Sequence, residues 1–177
     1  ASAPAQAPLN PPAPSKKGLG VAQPSEVRTV YSFRTERPDT PGTFVAGNLR
    51  VVPVNAQGMS IPVYVPMAAV ESASGYGESL ANVLTAFSDM FGAMPQPEMA
   101  ISQLPAGTLS SYSAPGLLLI GKRLWDPKVN YRLLARLAAG QWWGNEVLPA
   151  TPNDAWLADG LARYSEAMYV QQLAGQE

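Results

Sequence analysis

Hydrophobic and polar positions change rhythm along this chain, and each rhythm predicts an element. Val27, Thr29, Tyr31, Phe33 and Thr35 alternate with Arg28, Val30, Ser32 and Arg34, the period of two that marks a strand. Pro38, Pro41 and Gly42 then make a turn. Thr43 to Val54 reads as a second extended stretch, with Gly47-Asn48 as a bend or bulge, and Asn55 to Gly58 as a polar break. Ser60 to Val65 reads as a third strand, with Ile61, Val63 and Val65 on one face. Pro62 and Pro66 lack amide donors, which predicts an edge position or a short strand.

Period 3.6 takes over after Gly77. Leu80, Val83, Leu84, Phe87 and Met90/Phe91 form one apolar stripe, and Gly92 is a C-terminal stop. Met99, Ile101 and Gln103 suggest a strand after Pro97. Pro105 to Pro115 is a Gly/Ser/Pro loop, and Leu117 to Ile120 is an unbroken apolar run suited to a buried strand. Asp126 and Pro127 have the chemistry of an N-cap and first helical position, ahead of a stripe of Val129, Leu133, Leu134, Leu137 and Ala138. After a break at Pro149 to Pro152, Asn153 or Asp154 caps a last helix. Its expected apolar face holds Trp156, Leu157, Leu161, Tyr164, Met168 and Leu173. Strands first, then helices with strands between, is an α+β order.

Residues 1–26 have neither rhythm. Pro4, Pro8, Pro11, Pro12, Pro14 and Pro24 stand among small residues, so this stretch reads as a flexible tail or linker ahead of a domain at 27–177. It lacks the basic start and apolar run of a signal peptide. An exported or periplasmic chain after leader removal and an interdomain linker are both open readings.

Composition narrows the chemistry. The 177 residues include no His and no Cys, and Lys+Arg 12 against Asp+Glu 13 gives a net charge of -1. Charged residues are 14%, below the roughly 25% of ordinary soluble domains. Phosphate binding needs clustered basic residues, so nucleic acid is not expected as a main partner, and Lys16-Lys17 is too small a patch. No disulfide can form, and no Ser-His-Asp or Cys-His catalysis can come from this chain alone. No apolar run approaches the ~20 residues of a membrane span.

Two blocks near the C-terminus carry a resemblance. Gln141-Trp142-Trp143-Gly144-Asn145, followed by Trp156-Leu157-Ala158-Asp159-Gly160-Leu161-Ala162-Arg163-Tyr164, resembles the M1 family of zinc aminopeptidases, the gluzincins. In that family a helix reads H-E-x-x-H before Gln-Trp-Trp-Gly. A Glu follows nineteen residues after the second His, and Asp159 lies nineteen residues after Gly140 here. Upstream, Tyr31 to Thr35, Phe44 to Asn48 and Phe91-Gly92 with Pro95-Gln96-Pro97 are similar, in the same order, to earlier parts of the family's catalytic domain. The resemblance covers roughly residues 29–174 and implies part of a thermolysin-like (zincin) domain: an N-terminal β-sheet followed by helices, including the former zinc-binding pair.

The departures from that pattern fall on the chemistry. Two imidazoles at i and i+4 share one helix face and so meet one zinc. The two His positions are Arg136 and Gly140, the general-base Glu is Leu137, and the third ligand is Asp159. Aligning Pro115-Gly116-Leu117 with the family's Trp-Gly-Leu strand puts Ser113 at the exopeptidase Glu that grips a substrate amino group. The resemblance therefore implies no catalytic residue, no metal ligand set and no cofactor. Arg136 and Asp159 are expected to replace the metal with a charge-assisted pair, with Trp142 and Trp143 anchoring the helix end. A carboxylate clamp at Arg136 is a lesser alternative. Glu146 is expected at the solvated surface, and Ser110 to Ala114 in a plain turn.

The functional expectation is an inactive M1-like domain with a structural, peptide-binding or protein-interaction role. The alternative is an accessory part of a larger active metallopeptidase, docked on its other domains. A surface-anchored binding module with the Pro/Ala-rich start as spacer is a third reading.

Overall fold

The computed structural model describes residues 42–108 and 110–175. The Pro/Ala-rich segment, the strand expected from Val27 to Thr35 and the turn at Pro38 to Pro41 lie outside the described residues.

Two strands, β1 (Arg50–Ala56) and β2 (Met59–Val65), form the first hairpin. They turn at Gln57-Gly58, where φ is 52° and 73°. Two successive positive φ values give the turn whose twist matches that of the flanking strands. Then come α1 (Val70–Phe91), β3 (Ala100–Leu104), a second hairpin of β4 (Ser111–Ala114) and β5 (Leu117–Gly121), and two helices, α2 (Tyr131–Ala139) and α3 (Ala155–Ala174). The five strands lie in the order β1-β2-β3-β5-β4. β2, β3 and β5 are parallel, with an antiparallel strand at each edge. The fold is α+β, a five-stranded sheet with helices packed on it. No helix among the described residues is long and apolar enough to cross a membrane.

Register sets which side chains meet the helices. Val52 pairs with Val63, Val63 with Ile101, Ile101 with Leu118, and Leu118 with Ser113. Residues opposite one another share a face, so these five form one row across the sheet. Val63, Ile101 and Leu118 are fully buried in the core with Leu80, Leu84 and Phe87 of α1 and Leu134 of α2. The same row carries Ser113, at its far end, onto the helix-covered side.

The expected positions for β2 and α1 both shift, for reasons that involve a neighbour. β2 is interior, not an edge. Its Pro62 faces Pro53, so that rung loses no amide that a partner expects, and the ladder to β3 starts at Val63, beyond the proline. The strand within Thr43 to Val54 is confined to β1, with a bend at Gly47-Asn48. α1 begins at Val70 rather than after Gly77, and it ends at the expected Gly92. Gly77 is not a breaker. A Cβ there would lie 2.6 Å from Val54 Cβ, so glycine lets the helix approach β1 closely.

Asp126 and Pro127 do not open α2. The Tyr76 hydroxyl donates to Asp126 O and accepts from Asp126 N, both at 3.0 Å, while the Asp126 carboxylate accepts from Lys128 N at 2.8 Å. Those bonds hold the segment as a loop against α1. Trp125 stacks on Tyr76 with centroids 3.9 Å apart, and burial raises the Tyr76 pKa above its ordinary value. The helix starts four residues later. Asn130 is its N-cap and accepts from Leu133 N at 3.1 Å.

The expected apolar face of α3 is also corrected. Trp156, Leu157, Leu161 and Tyr164 are exposed, Trp156 by 68%. The stripe that meets the core is Ala162, Ser165 and Tyr169, with Leu173 packed beside it. α3 rests on the short α2, whose surface covers only a narrow band of a 20-residue helix. Asp154 stands at its N-cap position but makes no side-chain bond to the first turn of α3; its carboxylate instead accepts from Thr151 N at 3.1 Å, closing a capping box on the preceding 3₁₀ turn.

Candidate functional site

The site is built where β4, the C-terminal end of α2 and the first half of α3 converge. Gln141 joins them. It is fully buried, and an uncharged amide survives there because its bonds are made. Its Nε2 donates to Ser113 Oγ at 2.8 Å and to Ala114 O at 2.9 Å, and its Oε1 accepts from Gly116 N at 3.0 Å. One side chain thus ties the helix end to β4 and its turn.

Gly140 and Ser113 meet directly. Gly140 has ordinary helical torsions, with φ -60°, so torsion does not require glycine there. Space does: a Cβ would lie 2.8 Å from Ser113 Oγ, 2.9 Å from Ser113 Cβ and 3.1 Å from Leu137 O. The serine side chain fills the volume that a side chain at 140 would need. Gly140→Ala is therefore expected to destabilise by about 1–3 kcal/mol through overpacking, despite alanine's better helix propensity. Urea unfolding checks it, and a stability at or above that of the parent would contradict the close packing.

Trp142 is buried, with its ring edge-on to Phe87 and Phe91 at centroid distances of 6.1 Å. Trp143 is half-buried, and its Nε1 donates to Ser165 Oγ at 3.1 Å, which fixes α3 against the end of α2. Both tryptophans thus pack at the end of α2.

These contacts leave an open cleft of about 390 Å³. Arg136, Leu137, Gly140, Asp159 and Ser113 all line it, so the structure brings the five singled-out positions together. It does not pair Arg136 with Asp159. The Asp159 carboxylate is taken by Arg163, one helical turn on, with Nε to Oδ2 at 2.7 Å. A carboxylate at i and an arginine at i+4 lie on one helix face, so this local pair forms without any constraint from α2. The contact raises the Arg163 pKa above its ordinary value. Arg132 of α2 approaches Glu166 of α3 at 4.0 Å. Arg136 has no ion-pair partner among the described residues.

One further expectation changes. Ser111 to Ala114 is a strand, not a turn, because Leu117 to Gly121 offers it a complete antiparallel partner. Glu146 is exposed as expected, and Asn145 beside it lines the cleft. Asn145 Nδ2 reaches Ser113 O at 3.5 Å, a long contact. Gln141, the organising residue, was noted in the sequence only as part of the Gln-Trp-Trp-Gly block, without a role of its own. A lone amide inside the apolar run that ends α2 was the available signal.

Among the described residues β4 is the outer strand of the sheet, and its Ser111, Tyr112 and Ser113 line this cleft. Ser110 O accepts from Gly121 N at 2.7 Å, so the backbone of Ser110 turns toward β5. By the alternation of an antiparallel ladder, Ser111 and Ser113 turn their backbone groups to the open edge. Asn145 reaching Ser113 O from the cleft agrees with this.

Zinc does not fit these residues. Arg136 is cationic, the place of a side chain at 140 is filled by Ser113, and Asp159 is held by Arg163. Among the described residues no three His, Cys, Asp or Glu side chains come together as a metal-holding group. No family model matches the sequence, and no curated protein matches it.

Proposed function

We propose that this chain is a non-catalytic relative of the M1 aminopeptidases. In this reading the described residues are part of a thermolysin-like domain whose old active-site cleft binds an extended peptide. One observation carries it. The five positions at which the resemblance puts ligands, general base and exopeptidase residue line one cleft, and none can perform the family's chemistry. Positions scattered over the surface would have argued against the alignment.

The cleft also has what a bound strand needs. Among the described residues no strand pairs with the outer edge of β4, where only the long Asn145 contact reaches Ser113 O, and an extended peptide adds to such an edge through main-chain hydrogen bonds. Among the described residues no metal-holding group stands at that edge to activate a water molecule, and binding without cleavage is the expected outcome.

Elemental analysis of protein prepared with added zinc, together with chromogenic aminopeptidase substrates, tests the inactive half of the proposal. The expected result is no stoichiometric zinc and no turnover above buffer. Stoichiometric zinc with turnover that a chelator abolishes would overturn it.

A further inference from the structure

We infer that the cleft selects peptides carrying a carboxylate, which Arg136 receives. The inference rests on the peptide-binding reading of the same cleft and adds the ligand's chemistry. Its basis is the distribution of charge along the packed pair α2 and α3. Three arginines stand on these helices: Arg132, Arg136 and Arg163. Arg132 has Glu166, and Arg163 has Asp159 at 2.7 Å. Arg136 has no carboxylate among the described residues, although it is the one of the three that is partly buried at the cleft wall.

Asp159, the carboxylate that lines the cleft, is already engaged by Arg163. The cleft therefore presents two guanidinium groups and one committed carboxylate, a surplus of one positive charge. A guanidinium partly withdrawn from water gains most from a planar, bidentate acceptor, which a carboxylate supplies. The outer edge of β4, which no strand among the described residues pairs, supplies the second requirement. It orients an extended chain past Ser111 and Ser113, whose side chains share the helix-covered face of the sheet with Leu118. Backbone pairing would give affinity for any extended peptide, and Arg136 would give preference for an acidic one. The carboxylate has two sources, an acidic side chain or a free C-terminus.

Fluorescence anisotropy with three short labelled Val/Thr-rich peptides separates these possibilities. One carries a central Glu and an amidated C-terminus, one has Gln in its place and is amidated, and one has Gln and a free C-terminus. The Glu peptide or the free-acid peptide is expected to bind about ten- to a hundredfold tighter than the neutral amide. Whichever does so identifies the source. Arg136→Gln is expected to abolish that preference, so that all three peptides bind alike, and Arg136→Lys is expected to restore part of it. Unchanged thermal unfolding of both variants shows that the fold is intact. Added salt is expected to weaken only the carboxylate-dependent part.

If all three peptides bind alike and Arg136→Gln alters none of them, the carboxylate inference is overturned and peptide binding stands. If none binds to the parent protein, the peptide-binding reading fails and this inference fails with it.

Discussion

Gln141→Leu is expected to cost about 3–5 kcal/mol, although the two side chains are close in size. The loss comes from the partners left behind. Gly116 N loses its acceptor, and Ala114 O and Ser113 Oγ lose their donor, in a place where the glutamine itself is fully buried. Each buried polar group deprived of its partner costs about 1–3 kcal/mol, while the leucine gains some apolar burial. The site should loosen before the rest of the fold does, because these bonds join β4 to α2. Hydrogen exchange at Gly116 N is therefore expected to speed up more than exchange in β2 or α1. Urea unfolding with either outcome reversed, a loss below about 1 kcal/mol or uniform exchange, would show that Gln141 does not organise the cleft.

The second large effect lies in the core. Phe87→Ala is expected to destabilise by about 3–5 kcal/mol, the range for removing a fully buried aromatic side chain. Phe87 is 0% exposed. Its ring lies 5.3 Å from Phe91, 6.0 Å from Tyr169 and 6.1 Å from Trp142, measured between centroids. One side chain therefore touches α1, the end of α2 and α3. Against a total stability of about 5–15 kcal/mol, the variant should unfold at far lower urea, with a matching fall in melting temperature. Tryptophan fluorescence should report the same transition as circular dichroism, since Trp142 packs against the deleted ring. A loss of only about 1 kcal/mol would mean that the three helical segments do not depend on a common aromatic centre.

These two side chains show how much of the site could be read in advance. Phe87 was legible because it falls on a 3.6-residue stripe, and the stripe alone places it in a core. Gln141 was not, because a hydrogen-bonding role depends on which strand arrives opposite. Ser113 and Gly140 were singled out only through the resemblance to M1 aminopeptidases. Their contact arises from register: Ser113 pairs with Leu118, which turns the serine to the helix side. The pairing of Arg136 with Asp159 was expected because both positions face one point in that resemblance. Arg163, a turn away from Asp159, is the nearer partner and takes it.

Local signals held where they needed no distant partner. The β1–β2 break, the buried run Leu117 to Ile120 and the stop at Gly92 were each set by a few neighbouring residues. Signals failed where a partner from elsewhere competed. Asp126-Pro127 has the chemistry of a helix start, but Tyr76, fifty residues away, holds its backbone in a loop. Pro62 predicts an edge, but Pro53 opposite it makes an interior strand tolerable. The large apolar residues of α3 predict a buried face, but the helix turns Ala162 and Ser165 inward, where Trp143 bonds to Ser165.

By itself, then, the sequence determined the α+β order of elements, the apolar stripe of α1 and the absence of imidazole and thiol chemistry. These follow from periodicity and composition, which are properties of the chain alone. The tertiary structure decided which strands lie inside the sheet, that Ser113 fills the space beside Gly140, and that Arg136 faces the cleft without Asp159. Those depend on distances between residues far apart in sequence, and only the packed chain sets such distances.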